Sequence, residues 1–100
     1  PKLDEHTLLI LQAGNVDTGA FDPIDELCSY ARKAGAWVHI DGAFGLWAAV
    51  SRSKCCLTKG IEKADSWSVD AHKTLNAPYD SGIILCRNRN ALVNALQATG

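Results

Sequence analysis

The sequence predicts an α/β chain: part of a mostly parallel sheet with covering helices, its last strand antiparallel. Two observations carry that class. Between residues 7 and 41 a strand, a helix and a second strand follow one another, the βαβ order of a parallel, covered sheet. Further on, two more apolar runs are joined by a link from Lys73 to Ser81 that holds Asn76, Pro78 and Asp80. That link is too short for a crossover helix, so the last two strands pair across a turn.

Each element has its own local reason. Thr7 to Gln12 is a compact apolar run without a helical stripe, closed by Ala13-Gly14, and predicts a buried strand. Asp22-Pro23 predicts a helix start, with Asp22 as N-cap and Pro23 at the first helical position. Asp25 and Glu26 place negative charge in the first turn, where the helix dipole favours it. Ile24, Leu27, Cys28, Ala31 and Ala34 share one helical face, and Gly35 ends the helix after Arg32 and Lys33. Ala36 to Asp41 is the second strand. Residues 44 to 50 are small and apolar and predict a short helix or tight turn, and Ser51 to Thr58 a surface loop. Ala64 to Val69 is the third strand, Ser81 to Arg87 the fourth, and Asn90 to Ala98 a terminal helix.

Composition narrows the class of function. Of 100 residues, 47% are hydrophobic and 21% charged, which excludes disordered, collagen-like and low-complexity chains. Ten Lys and Arg stand against eleven Asp and Glu, a balance without a nucleic-acid footprint. The purely apolar runs, such as Leu8 to Leu11, are far shorter than the roughly 20 residues of a membrane span, and no signal peptide is visible. The chain has no Met and opens on Pro1-Lys2-Leu3, so it is expected to be a piece of a longer protein. Cys28 and Cys86 sit in apolar segments, and adjacent Cys55-Cys56 lacks zinc-knuckle spacing. Free thiols and a reducing, cytoplasmic compartment are expected.

Chemistry in an open α/β sheet gathers beyond the carboxyl ends of the strands. Three predicted strands end in Gly14-Asn15, Asp41-Gly42 and Asp70-Ala71-His72-Lys73. A parallel sheet brings an acid, a histidine and a lysine to one rim although they are distant in sequence. Lys73, flanked by Ala71 and Leu75, is expected in semi-apolar surroundings that free its amine for Schiff-base chemistry. The plainer reading is a surface lysine. Asp41 is equally a turn former for the segment after it, and His72 a structural histidine. His39 and Asp41 form an H-x-D pair, but a third metal ligand at convincing spacing is missing. Trp37, Trp47 and Trp67 are expected in the core.

These strings are recognisable. Val38-His39-Ile40-Asp41-Gly42-Ala43-Phe44-Gly45, Ala64-Asp65-Ser66-Trp67, and Asp70 to Gly82 with its His72-Lys73 pair resemble the pyridoxal-phosphate group II amino-acid decarboxylases. An H-x-D-x-A block followed some thirty residues later by H-K is far more specific than either half. The resemblance implies that residues 1–100 are the central portion of the large, cofactor-binding domain of a fold-type I enzyme. The phosphate loop would lie upstream and the small domain downstream. It implies an internal aldimine on Lys73, a pyridinium nitrogen paired with Asp41, and Ala43 against one ring face. His72, with Asp70, would help hold the phosphate or the lysine, and Asn15 would make a polar cofactor contact. Departures from the family pattern are Thr74 where Trp is usual, Asn15 where several members carry Thr, and Asp70 where some branches carry Asn.

The function so implied is pyridoxal-phosphate-dependent decarboxylation of an L-amino acid to its amine by a homodimeric parent, with the isolated 100 residues inactive. Two alternatives stand beside it. Another fold-type I enzyme, such as an aminotransferase, would share the Asp and Lys. A non-catalytic α/β piece would keep the fold without the chemistry. Neither nucleic acid nor membrane is expected as a partner.

Overall fold

The structure, a computed structural model, describes residues 2–97. Strands β1 (Leu8–Gln12), β2 (Trp37–Asp41), β3 (Ser66–Asp70) and β4 (Gly82–Cys86) form one sheet in the order β1-β2-β3-β4. β1 and β2 are parallel, as are β2 and β3, while β3 and β4 run antiparallel. Helix α1 (Ile24–Ala34) crosses from β1 to β2, and α2 (Arg89–Leu96) follows β4. Short 3-10 helices occupy Leu46–Val50, Cys55–Thr58 and Ile61–Lys63. The predicted sheet, including its antiparallel last pair, is the one observed.

Helix α1 is one-sided, as its spacing requires. Ile24, Cys28 and Ala31 are buried and share one core with Leu11 from β1, Ala13 just beyond it, and Val38 and Ile40 from β2. Burial pushes the Cys28 thiol pKa up, since the charged thiolate is disfavoured there. Gly35, at φ 77°, ends the helix. Its N–H donates to Arg32 O and the Ala36 N–H to Ala31 O, the paired bonds of a Schellman motif. The helix start differs from expectation. Pro23 is the cap, and the Asp22 carboxylate instead accepts the Gln12 N–H at 2.7 Å, satisfying the last amide of β1.

Each strand begins one or two residues later than expected, β3 by the most. Ala64 closes the preceding 3-10 turn through its N–H to Ile61 O, so β3 begins at Ser66 and runs on to Asp70. In the loop expected at Ser51 to Thr58, the last four residues coil into a 3-10 turn and Thr58 is buried. Ala98, the expected end of the last helix, lies outside the described residues. The tryptophans are half-buried rather than enclosed. Each indole N–H has an acceptor: Ser66 Oγ for Trp37, Asp70 O for Trp47 and Ile61 O for Trp67. That need for a polar partner keeps part of each ring near the surface.

The opposite sheet face is largely uncovered. Strand alternation places Leu8, Ile10, His39, Asp41, Ser68 and Ile84 there. Leu8, Ile10 and Ile84 are each more than half exposed. Among the described residues, no helix is long and apolar enough to cross a membrane. The four cysteines are free thiols.

Candidate active site

Because β1, β2 and β3 are parallel, their carboxyl ends meet at one rim. Gln12, Asp41 and Ser68 stand side by side in register, and each strand hands over to a loop that carries polar groups. This rim gathers Asn15, Asp41, Ala43, Asp70, His72 and Lys73.

The β2 end is shaped by Asp41. Its Oδ1 accepts the Ala43 N–H at 3.1 Å, turning the chain sharply and fixing the carboxylate over the strand end. The turn-forming role weighed from the sequence is therefore present, and it engages one carboxylate oxygen. The turn is then clamped to its neighbours. Gly42 N–H donates to Ser68 O on β3, and Gly45 N–H to Ala13 O beyond β1. A Cβ on Gly45 would collide with that same carbonyl and stand 2.7 Å from Phe21 Cζ, so only glycine permits this approach.

The β3 end carries the lysine. Lys73 Nζ lies 2.5 Å from Asp70 Oδ2 and 4.0 Å from the centroid of the Phe44 ring. The semi-apolar pocket expected from Ala71 and Leu75 is not what surrounds the amine. Leu75 is exposed, and the ammonium rests between a carboxylate and an aromatic face. The hydrogen bond from Lys73 holds the Asp70 carboxyl below its usual range. Thr74 Oγ donates to Phe44 O at 3.2 Å, and the Trp47 indole to Asp70 O. Both bonds tie the lysine loop to the Asp41 loop.

His72 is held firmly. Ala71 N–H already donates to Ser81 O, and Ser81 N–H points at His72 Nδ1, 3.0 Å away. Nδ1 also lies 2.9 Å from the Ser81 carbonyl oxygen, so both backbone groups of Ser81 hold the ring, and Nε2 faces Asp70 Oδ2 at 3.7 Å. Tyr79 packs against the imidazole with ring centroids 4.4 Å apart. Asn15 mainly builds its own loop. Its Oδ1 accepts from Asp17 N, Thr18 N and Thr18 Oγ, and its Nδ2 donates to Gln12 Oε1.

Sequence reasoning had assigned no role to Phe44, Ser81, Thr74 or the chain from His39 to Ser66 and Ser68. Phe44 lay inside a quoted string, yet only the turn at Asp41 directs its ring onto Lys73. In the H-x-D pair, both His39 nitrogens are bonded to serine hydroxyls, Nδ1 to Ser66 Oγ and Nε2 to Ser68 Oγ.

An acid and a lysine on adjacent strand ends of a parallel α/β sheet define a class: a sheet-rim site equipped for carbonyl and amine chemistry. The chain belongs to the pyridoxal-dependent decarboxylases, for residues 7–99 match the family model described as "Pyridoxal-dependent decarboxylase conserved domain". It is 38% identical over 84 residues to an aromatic-L-amino-acid decarboxylase of Bacillus atrophaeus, covering 84% of this chain and 18% of that protein. It is 37% identical over 81 residues to an L-2,4-diaminobutyrate decarboxylase of Rhizobium meliloti, covering 81% of this chain and 16% of the relative. Among solved structures, tryptophan decarboxylase of Catharanthus roseus superposes with a TM-score of 0.83 at 32% identity, over 91% of this chain and 19% of that one. A 4-hydroxyphenylacetaldehyde synthase of Rhodiola rosea superposes at 0.84 and 33% identity, over 92% of this chain and 20% of the other. The chain thus spans about a fifth of the length of the proteins it matches. Their names cover aromatic and diamino-acid substrates at nearly equal identity. The cofactor of the family is pyridoxal phosphate.

Proposed function

We propose that the protein carrying this chain decarboxylates an L-amino acid to its amine with pyridoxal phosphate. One observation carries the reading: Lys73 and Asp41 emerge from adjacent strand ends within a segment that matches the decarboxylase family almost throughout. The residues fit the cofactor by their chemistry. A primary amine meets the need for a carbonyl anchor, and a half-buried carboxylate with one oxygen already fixed meets the need for a ring-nitrogen partner. When bound, pyridoxal phosphate supplies a conjugated ring that accepts the electron pair released from the substrate α-carbon.

Each residue then has a task. Lys73 supplies the anchoring amine, released from Asp70 with loss of one proton. Asp41 accepts the ring N–H and keeps that nitrogen protonated. Ala43, small and directly after the Asp41 turn, leaves room for a flat ring against its methyl group. His72 turns its Nε2 towards the Asp70 side of the site, and Asp70 orients the lysine. Asn15, with one amide hydrogen committed to Gln12, offers the other to a polar cofactor atom. Free thiols among the described residues support a cytoplasmic setting, and the family resemblance supports a homodimer.

The test combines cofactor trapping with product analysis. Incubation with pyridoxal phosphate followed by borohydride reduction is expected to label the peptide containing Lys73 and to spare Lys73→Ala protein. Carbon dioxide and an amine are the expected products from an amino-acid panel. A keto acid in their place would identify an aminotransferase, and labelling scattered over other lysines would remove Lys73 as the anchor.

A further inference from the structure

Cys55 and Cys56 are neighbours in the chain, outside the residues of the site described above, and both are exposed free thiols. They open the 3-10 turn Cys55–Thr58, whose backbone is tied at several points. The Cys55 N–H donates to Ser51 O at 2.9 Å and the Leu57 N–H to Lys54 O at 2.9 Å. The hydroxyl of the buried Thr58 donates to Cys55 O at 2.9 Å. The backbone of the pair is thus fixed, while its two side chains are open to solvent.

That backbone keeps the pair from closing on itself. Consecutive Cα atoms stand about 3.8 Å apart, whereas a disulfide spans about 4.4–6.8 Å between its Cα atoms. A turn of about three residues also points successive side chains about 120° apart around its axis. An internal disulfide would require the turn to unwind, with loss of the Leu57 and Thr58 bonds. A bridging atom relaxes that demand, because it lengthens the link and lets the sulfurs stay apart. The Cys55 thiol makes a long contact of 3.7 Å to Arg52 O, weak enough to yield.

The donor set narrows what can bridge the pair. Sulfur is a soft ligand, and among the described residues no three or more His, Cys, Asp or Glu side chains gather to hold a metal ion. Structural zinc takes four ligands. Two sulfurs suit a soft centre that needs no more than two from the protein, as trivalent arsenic bearing one organic group does. Cys28 is buried, and Cys86 is half-buried with its thiol 3.2 Å from Asn88 O; each stands singly in the sequence.

We propose that Cys55 and Cys56 form a dithiol site for a trivalent organoarsenical. Two S–As bonds form, the two thiol protons pass to the arsenoxide oxygen, and that oxygen leaves as water. Arsenic stays trivalent, so no oxidant or reductant takes part. The site is independent of the cofactor reading, since neither thiol has a role in it.

The test is retention of phenylarsine oxide by the full protein in excess glutathione, a monothiol that competes poorly with a chelating pair. Trypsin cleaves after Lys54 and Lys59, so both thiols travel in the single peptide Cys55–Lys59. That peptide is expected to carry one phenylarsenic group, released by 2,3-dimercaptopropanol. Cys55→Ser and Cys56→Ser are each expected to weaken retention by about a hundredfold or more, the scale of a lost second attachment. Cys86→Ser is expected to leave it unchanged. Unaltered urea midpoints check that the serine variants fold, and the peptide map of the unsubstituted protein tests the site without them. Full retention by either serine variant, absence of the group from the Cys55–Lys59 peptide, or an internal Cys55–Cys56 disulfide in protein isolated without reductant would overturn the proposal.

Discussion

Lys73 sits between two neighbours that act on it differently. The Asp70 carboxylate pairs with its charge, while the Phe44 ring covers one side through the quadrupole of its face. Asp25 makes a comparable cluster away from the rim, where Lys63 lies 2.6 Å and Lys59 3.5 Å from its two carboxylate oxygens. In both clusters the lysine hydrogen bond holds the aspartate below its ordinary value of 3.8. A carboxyl whose folded pKa is depressed adds stability above its unfolded value and loses it as pH falls through the folded one. Stability of the chain is therefore expected to drop as pH falls below about 4. Asp25→Asn and Asp70→Asn should each flatten that acid limb in urea midpoints measured from pH 6 to pH 2. An acid limb equally steep in both variants would show that these pairs are not its source.

At the scale of the element, alternation along a strand decides what a substitution costs. Ile40 on β2 points into the α1 side and is fully buried, whereas Ile10 on β1 points the other way and is 60% exposed. Ile40→Ala is expected to cost about 2–5 kcal/mol, transfer and cavity together, and Ile10→Ala less than about 1 kcal/mol. Urea unfolding of the two variants checks this, and similar losses would mean that α1 does not cover the face assigned to it. Helix α1 was legible in advance because its apolar face, acidic first turn and Gly35 stop agree with one another. Its cap was not legible. The Asp22 carboxylate takes the amide of Gln12, ten residues earlier, which only the tertiary arrangement brings to it.

For the whole molecule, the contrast between the two sheet faces matters most. One is packed by α1 and the turn around Ile61, while the other shows Leu8 and Ile10 on β1 and Ile84 on β4 to solvent, with His39, Asp41 and Ser68 between them. Exposed apolar side chains on both outer strands, with β1 as an open edge, favour self-association. The 100-residue chain by itself is expected to sediment as dimers or larger species at micromolar concentration. The double variant Ile10→Lys, Ile84→Lys should move it towards monomer, and a monomeric unmodified chain would contradict the expectation.

Periodicity, punctuation and the βαβ order made the parallel sheet, the antiparallel last pair and the convergence of Asp41 with Lys73 at one rim readable from the residues alone. These are local signals, and once the strands are parallel their carboxyl ends have to meet. The tertiary structure alone decided that Asp70 and Phe44, rather than apolar neighbours, surround the Lys73 amine. It likewise decided that Ser81 holds the His72 ring, and that His39 reaches two serines across the β2–β3 register. Those contacts join residues up to about thirty positions apart through side-chain direction and donor counting. No spacing along one chain encodes them, because a hydrogen bond is specified by distance and angle in space.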